Sequence, residues 1–304
     1  MVEAGLWEKE VRLLPFGEVD YQEVMRLAEE QSVVGLVTAG MEHFADTKAP
    51  KTDTLVFIGN ALKIEERNKA MNRFVAALVG KMHEAGIRAV LVKGQGVAQC
   101  YERPLWRASG DVDFLLDAEN YEKAKSLLSP LATKVETEDR QILHQGLEFD
   151  PWTVELHGTM RTQLSSRINR GIDDAQHEVC ENGGTRRWNN EGVEVLLPNP
   201  DSDIVLVFTH FLNHFYGSGI GLRQVCDWSR LLWTYRDSID TALLESRLLK
   251  MGIMAEWQVF AAFAVDYLGM PKERMPLYLE SSKMKRRATK LANWMLRSGK
   301  RRHD

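Results

Sequence analysis

Apolar residues recur at helical spacing towards both ends of the chain and gather into short continuous runs in its middle. Asp20 followed by Glu23 is a capping-box pattern ahead of apolar positions at helical spacing, which predicts a helix over residues 20–41. A second helix is predicted from about Asn60 to Ala85. There Ile64, Met71, Phe74, Val75, Leu78, Val79 and Met82 fall on one stripe, and Gly86 supplies a stop. The texture then changes. Ala89-Val90-Leu91-Val92 is a continuous apolar run ending at Gly94-Gln95-Gly96, as expected of a buried strand that meets a loop. Val97 to Tyr101 can make a brief helix before Pro104, and Asp111 to Leu116 is a second strand. Residues 119–131 are predicted helical. Residues 148–159 are predicted as a strand centred on Thr153–His157, and residues 191–197 as one more before Pro198-Asn199-Pro200. From Asp201 onward, with Asp201 or Ser202 as cap, the pattern is helical again. The fold class is therefore α+β. It divides into an N-terminal helical segment (1–85), a central core (86–200) and a C-terminal helical domain (201–304). No internal repeat is present.

Composition narrows the function classes. A length of 304 residues suggests about two domains. Hydrophobic content of 44% and charged content of 27% are those of a globular protein rather than a disordered one. The chain has 39 Lys/Arg against 43 Asp/Glu, which argues against a general nucleic-acid coat. The charge is uneven: residues 283–304 hold nine Lys/Arg and one acid, leaving 30 basic against 42 acidic residues in the rest. An acidic body is compatible with gathering divalent cations. Cys100, Cys180 and Cys226 are too few and too scattered for a disulfide framework and read as reduced thiols, giving a cytoplasmic expectation. The first residues lack the basic and apolar runs of a signal peptide. The most apolar stretches, Ile204–Phe215 and Val259–Leu268, are broken by His210, His214 and Asp266, so they read as buried helices rather than membrane spans.

The candidate chemistry starts with Asp111 and Asp113. Residues i and i+2 of a strand share a face, so these carboxylates stand side by side while Val112 and Phe114 point to the core. Two like charges so close call for a neutralising cation, and Mg²⁺ takes carboxylate oxygens while leaving positions for phosphates. Alone, Asp-x-Asp reads more readily as a polar strand end with two solvated aspartates. Upstream, Lys93-Gly94-Gln95-Gly96 joins a strand to a helix start, where backbone N–H groups can approach an anion and Lys93 can reach a phosphate. The spacing is that of neither a P-loop nor a dinucleotide fingerprint. Glu155 and His157 share a face of the later strand. If that strand lies beside the aspartates, Glu155 joins them and the three carboxylates could support two-metal phosphoryl or nucleotidyl transfer.

The runs Val90-Leu91-Val92-Lys93-Gly94, then Tyr101, Pro104 and Arg107, then Asp111-Val112-Asp113-Phe114-Leu115-Leu116, then Glu155-Leu156-His157, resemble the polymerase-β-type nucleotidyltransferase superfamily. More narrowly, they resemble the bacterial family of uncharacterised nucleotidyltransferases, over roughly residues 20–235. The resemblance implies a small mixed sheet flanked by helices, a nucleoside triphosphate as substrate and an unidentified acceptor. It implies Mg²⁺ or Mn²⁺, with two ions held by Asp111, Asp113 and Glu155. By the same analogy Lys93 and Gly94 hold the triphosphate, joined by Gln95 and Gly96. Arg107 either touches phosphate or braces the acidic strand, with bracing preferred. His157 is either a partner of the carboxylates or a phosphate donor. The superfamily's loop reads Gly-Ser or Gly-Gly, whereas Gln95 follows Gly94 here. An alternative reading keeps the fold as a catalytically inactive nucleotide-binding or partner-binding module.

Three further features carry weaker expectations. His210 and His214 lie four apart on a predicted helix, a spacing shared by zinc pairs, but no Glu lies between them, and packed helix residues are the preferred reading. Arg223 and Asp227, after the glycine-rich turn 217–221, have helical ion-pair spacing; Arg223 alternatively reaches a nucleotide phosphate. In the basic tail Met284, Ala288, Leu291 and Met295 form one stripe, which favours packing on the acidic body over binding nucleic acid. The eight Trp read as core.

Overall fold

The computed structural model describes residues 1–298, so Lys300, Arg301 and Arg302 of the basic tail lie outside the described residues. The N-terminal helices are α1 (Val2–Trp7), α2 (Tyr21–Glu30), α3 (Val34–Met41) and α4 (Lys51–Glu84). The middle of the chain holds β1 (Val90–Val92), α5 (Gly94–Ala98), β2 (Val112–Leu115), α6 (Ala118–Leu128), β3 (Lys134–Val135), β4 (His144–Glu148) and β5 (Thr153–His157). It continues with α7 (Ser166–Cys180), β6 (Thr185–Asn190) and β7 (Val193–Pro198). Helices α8 (Pro200–Tyr216), α9 (Leu222–Thr234), α10 (Thr241–Met251), α11 (Met254–Leu268) and α12 (Ser282–Ser298) follow.

The strands form one mixed sheet of order β3-β4-β5-β2-β1-β7-β6. Strand β2 is antiparallel to β1 and parallel to β5, and β1 is parallel to β7. Alternation sorts the side chains between two cores. Leu91, Val112, Phe114, Val154 and Leu156 pack with α6 and with Met71, Val75, Leu78, Val79 and Met82 of α4, the stripe expected from the sequence. Val90, Val92 and Leu115 face the other way, into the core shared with α7, α8 and α9. Each such buried aliphatic side chain contributes about 1.5–3 kcal/mol relative to exposure. Asp113, Glu155 and His157 therefore emerge on the face that the C-terminal helices cover.

Several boundaries differ from expectation. The helix expected over 20–41 is two. Asp20 caps α2 as read, accepting from the backbone N–H groups of Gln22 and Glu23, but the chain reverses at Ser32 (φ 56°). The break lets α3 dock closely: a Cβ on Gly35 would lie 2.0 Å from the Trp106 carbonyl oxygen. Helix α4 begins nine residues before the expected start, after Pro50, because apolar Leu55 and Val56 lie on its exposed side and blur the stripe there. The cap of α8 is Asn199, which accepts from the Ser202 N–H, rather than Asp201 or Ser202. Strands β3, β4 and β6 were not anticipated; β6 reads Thr-Arg-Arg-Trp-Asn-Asn and has no apolar alternation to show. Helix α7 was also unanticipated, although Ile168, Ile172, Ala175 and Val179 form its buried stripe and Ser165 caps it. Trp228 and Trp257 are fully buried, whereas Trp294 is exposed on α12. Met284, Ala288, Leu291 and Met295 are buried as the stripe predicts. The three cysteines are free, and no helix among the described residues is long and apolar enough to cross a membrane.

Candidate active site

Strand β1 ends where the chain must turn sharply into α5, and it does so through Lys93 (φ 58°) and Gly94 (φ 38°). Glycine adopts such angles freely; a lysine there costs on the order of 1–3 kcal/mol and persists only where surroundings over-determine it. What holds Lys93 is Asp113, whose Oδ1 lies 2.6 Å from the lysine Nζ. The left-handed turn thus aims the ammonium back across the sheet at the acidic strand.

Asp113 is 2% exposed at the centre of β2, and Asp111 lies just before the strand, exposed at its mouth. The parallel register of β2 and β5 sets Asp113 directly opposite Glu155. Oxygen atoms of Asp111, Asp113 and Glu155 consequently lie within 4.8 Å of one another. These three line a cleft of about 570 Å³ together with Lys93, Gly94 and Arg107. Its opposite wall comes from α8 and α9 and the turn between them: His210, His214, Ser218, Gly219 and Arg223.

Electrostatics follow the geometry. Repulsion from Asp113 raises the pKa of Asp111 above the ordinary aspartate value, and partial burial adds to it. Glu155 is held well below the usual carboxylate range by hydrogen bonds with His144 and then His157. Its Oε2 lies 3.5 Å from His144 Nε2 and 3.3 Å from His157 Nε2. Burial opposes charging of His157, but its bonds to Asp113 (2.9 Å) and Glu155 outweigh burial and raise its pKa. Burial likewise opposes the charge on Lys93, and the attraction of Asp113 and Asp111 more than offsets it.

Arg107 is engaged with α9, across the fold from its own loop. Its Nε and Nη2 donate to the two oxygens of Asp227 at 2.9 and 2.6 Å, Nη1 donates to Ser109, and the Tyr101 hydroxyl donates to the same carboxylate. This corrects the expected Arg223–Asp227 pair, because Asp227 is already engaged across the fold. Arg223 instead donates from Nη1 to the Ala108 carbonyl, while its Nε is buried without a hydrogen-bond partner at the cleft wall. Burial, reinforced by Arg107, lowers its pKa.

Two other expectations change. The Gln95 side chain, 2% exposed, turns inward to Asn68 and Ser109 rather than toward the cleft. Gly96 packs where a Cβ would lie 2.8 Å from a Leu197 methyl group, so its lack of a side chain serves the core. His157 lies behind the carboxylates, bonded to two of them. His210 and His214 do line the cleft, with their Nε2 atoms 3.1 Å apart; burial pushes the His210 pKa well below the histidine norm. No third metal-ligating side chain groups with them among the described residues.

Sequence reading missed His144 and Asn68. His144 is the cross-strand partner of His157 through β4, a strand with no apolar alternation. Asn68, buried in α4, holds the Leu105 and Arg107 carbonyls and so fixes the loop that leads into β2. Nothing in its local sequence marks it out.

A mixed sheet whose two adjacent parallel strands bring three carboxylates to a cleft, beside a lysine–glycine turn, defines a nucleotidyltransferase-type protein. The chain belongs to the uncharacterised nucleotidyltransferase family, whose model matches residues 17–269. Among solved structures it is similar to an antigenic nucleotidyltransferase-like protein from Paracoccidioides brasiliensis. That match has 13% identity and a TM-score of 0.39, covering 70% of this chain and 95% of the other. No curated protein matches it.

Proposed function

We propose that the chain is a metal-dependent nucleotidyltransferase that moves a nucleoside monophosphate from an NTP to a hydroxyl or phosphate acceptor, releasing pyrophosphate. The observation that carries this reading is the convergence of Asp111, Asp113 and Glu155 within 4.8 Å, with Lys93 and Gly94 beside them on the same side of one cleft. An all-oxygen donor set, with one aspartate's pKa raised by its neighbour's charge, fits a hard divalent ion. Asp111, Asp113 and Glu155 would hold Mg²⁺ or Mn²⁺, two ions in the full arrangement. When bound, the metal would screen charge on the phosphates and favour the deprotonated acceptor.

The chain's own residues supply the rest. Gly94 lets the backbone approach the triphosphate closely, and Lys93 is a cation that can pass from Asp113 to a phosphate oxygen. Arg223 offers its unpartnered Nε from the opposite wall. Arg107 and His157 act at one remove, by holding the acidic strand and the carboxylates. The acceptor oxygen attacks the α-phosphorus in line, forming one P–O bond as the α–β bridge bond breaks and pyrophosphate leaves. The 86–200 core would thus carry the carboxylates and the turn, while α8 and α9 of the C-terminal helical domain close the cleft. Three free thiols favour a cytoplasmic setting, and a basic helix packed on the acidic body makes a nucleic-acid partner the less favoured one.

One observation favours a second reading, an inactive nucleotide-binding module: Lys93 already neutralises Asp113 at 2.6 Å. Labelled NTPs, Mg²⁺ or Mn²⁺ and candidate acceptors separate the two. Transfer by the wild type and none by Asp111→Asn/Asp113→Asn supports the enzyme. Equal label in both, or calorimetric NTP binding indifferent to Mg²⁺, supports the inactive module.

A further inference from the structure

Behind the acidic trio lies a second group of donors of different chemistry. His144 on β4 and His157 on β5 are register partners, and both present Nε2 to the same oxygen of Glu155, at 3.5 and 3.3 Å. The three donor atoms all lie within 4.8 Å of one another. For ligands about 2.0–2.1 Å from a tetrahedral ion, the donor–donor edge is about 3.3–3.4 Å, so the two His–Glu separations are those of a tetrahedron already formed. The strands hold the two imidazoles tilted at 46° to one another, with ring centroids 4.9 Å apart. Two nitrogens and one carboxylate oxygen leave a fourth position open. This is the donor set of catalytic zinc sites and suits borderline ions such as Zn²⁺ and Co²⁺ rather than Mg²⁺.

We propose that His144, Glu155 and His157 form a second metal site, specific for a borderline divalent ion such as Zn²⁺ and abutting the all-oxygen site through Glu155. It rests on the proposed function only in sharing that glutamate; the nitrogen site stands or falls on its own ligands. Asp113 Oδ1, 2.9 Å from His157 Nε2, takes that nitrogen's proton bond when no ion is bound and is released when one is. One carboxylate thereby links the two sites: an ion on the histidines frees Asp113 for the oxygen site.

The test uses the full chain and Co²⁺ alone, whose d–d absorption is intense in tetrahedral and weak in octahedral surroundings. After metal stripping, titration is expected to give one tetrahedral Co²⁺ per chain, displaced by stoichiometric Zn²⁺ and not by a large excess of Mg²⁺. His144→Ala is expected to weaken Co²⁺ binding at least tenfold. His144 is half-buried and outside the proposed transfer machinery, and His144→Gln, which keeps a polar side chain, guards against simple misfolding. Asp111→Asn is expected to keep the Co²⁺ spectrum while abolishing nucleotidyl transfer, so failure of the enzyme reading and failure of this site are separable. Only octahedral Co²⁺ with no tetrahedral band, loss of the tetrahedral band to Mg²⁺, or an equal tetrahedral band and affinity in wild type and both His144 variants would overturn the proposal and leave only a hydrogen-bonded cluster.

Discussion

Asp113 and Glu155 are direct partners across the parallel β2–β5 pair, so the two carboxylates rise from neighbouring strands on the same face of the sheet. Asp113 also takes Lys93 at 2.6 Å and His157 at 2.9 Å. Both of those partners meet it through the same oxygen, Oδ1. Asp113→Asn should therefore abolish transfer and also cost stability of about 3 kcal/mol, because Lys93 would keep a buried charge without its counter-ion. Urea unfolding of the variant beside Asp111→Asn checks this. Asp111 is exposed, and its loss should leave stability nearly unchanged.

The Arg107–Asp227 pair is buried and bidentate. Asp227→Asn should destabilise by about 3–5 kcal/mol, and Arg107→Lys should lose the planar fork without losing charge. Denaturant midpoints measure both. If the pair is a brace, folded Arg107→Lys enzyme will keep a near-normal KM for NTP; a large KM rise would make Arg107 a phosphate ligand.

Arg223 makes the opposite prediction. Its Nε is buried without a partner at the cleft wall, and an approaching phosphate would satisfy it. Arg223→Gln should raise the KM for NTP by roughly 10- to 100-fold, the equivalent of about 1.5–3 kcal/mol for a charged hydrogen bond, with a small change in Tm. Unchanged NTP affinity in equilibrium titration would assign Arg223 to the Ala108 carbonyl alone.

The His157–Glu155 contact imposes a pH window. Glu155 is held below its ordinary 4.5, so its contribution is present above that value and fades as pH falls through the depressed folded pKa. His157 is raised above 6.5, so its contribution is complete below 6.5 and fades as pH rises through the folded pKa. The wild type should thus exceed His157→Gln in stability most clearly between about pH 4.5 and 6.5. Thermal melts across pH 4–9 should show the gap narrowing on the alkaline side. A gap independent of pH would mean that the histidine acts only by packing.

Gly96 tests the turn from the packing side. An alanine there would meet the Leu197 methyl at 2.8 Å, and overpacking of this kind costs about 1–3 kcal/mol. Chemical denaturation of Gly96→Ala should register that loss, whereas NTP affinity should survive in the folded fraction, since position 96 is turned from the cleft.

Much of this protein was legible before any coordinates. Strand periodicity alone placed Asp111 and Asp113 on one face and Val112 and Phe114 on the other, because alternation is a local property of an extended backbone. The apolar stripe of α4, the Asp20 cap and the Gly86 stop were readable for the same reason: each depends on residues within one or two turns. Residues whose partners are distant were not. Arg223 has Asp227 at ideal helical spacing, yet Asp227 is claimed by Arg107 from 120 positions away, with a better bidentate geometry than a neighbour on its own helix offers. Gln95 looked like a loop donor and is instead packed against Asn68, which only the docking of α4 could reveal.

By itself, then, the sequence determined the composition of the chemistry: an acidic pair on one strand, a lysine–glycine turn before it and a glutamate-histidine strand after it. Tertiary structure decided which of these meet. The register of β2 on β5, the insertion of β4 beside β5 and the closure of α8 and α9 over the sheet bring together groups that are 44 or more residues apart in the cases of Asp113 and His157. Local periodicity carries no information about such pairings, because they are set by the burial of two whole sheet faces at once.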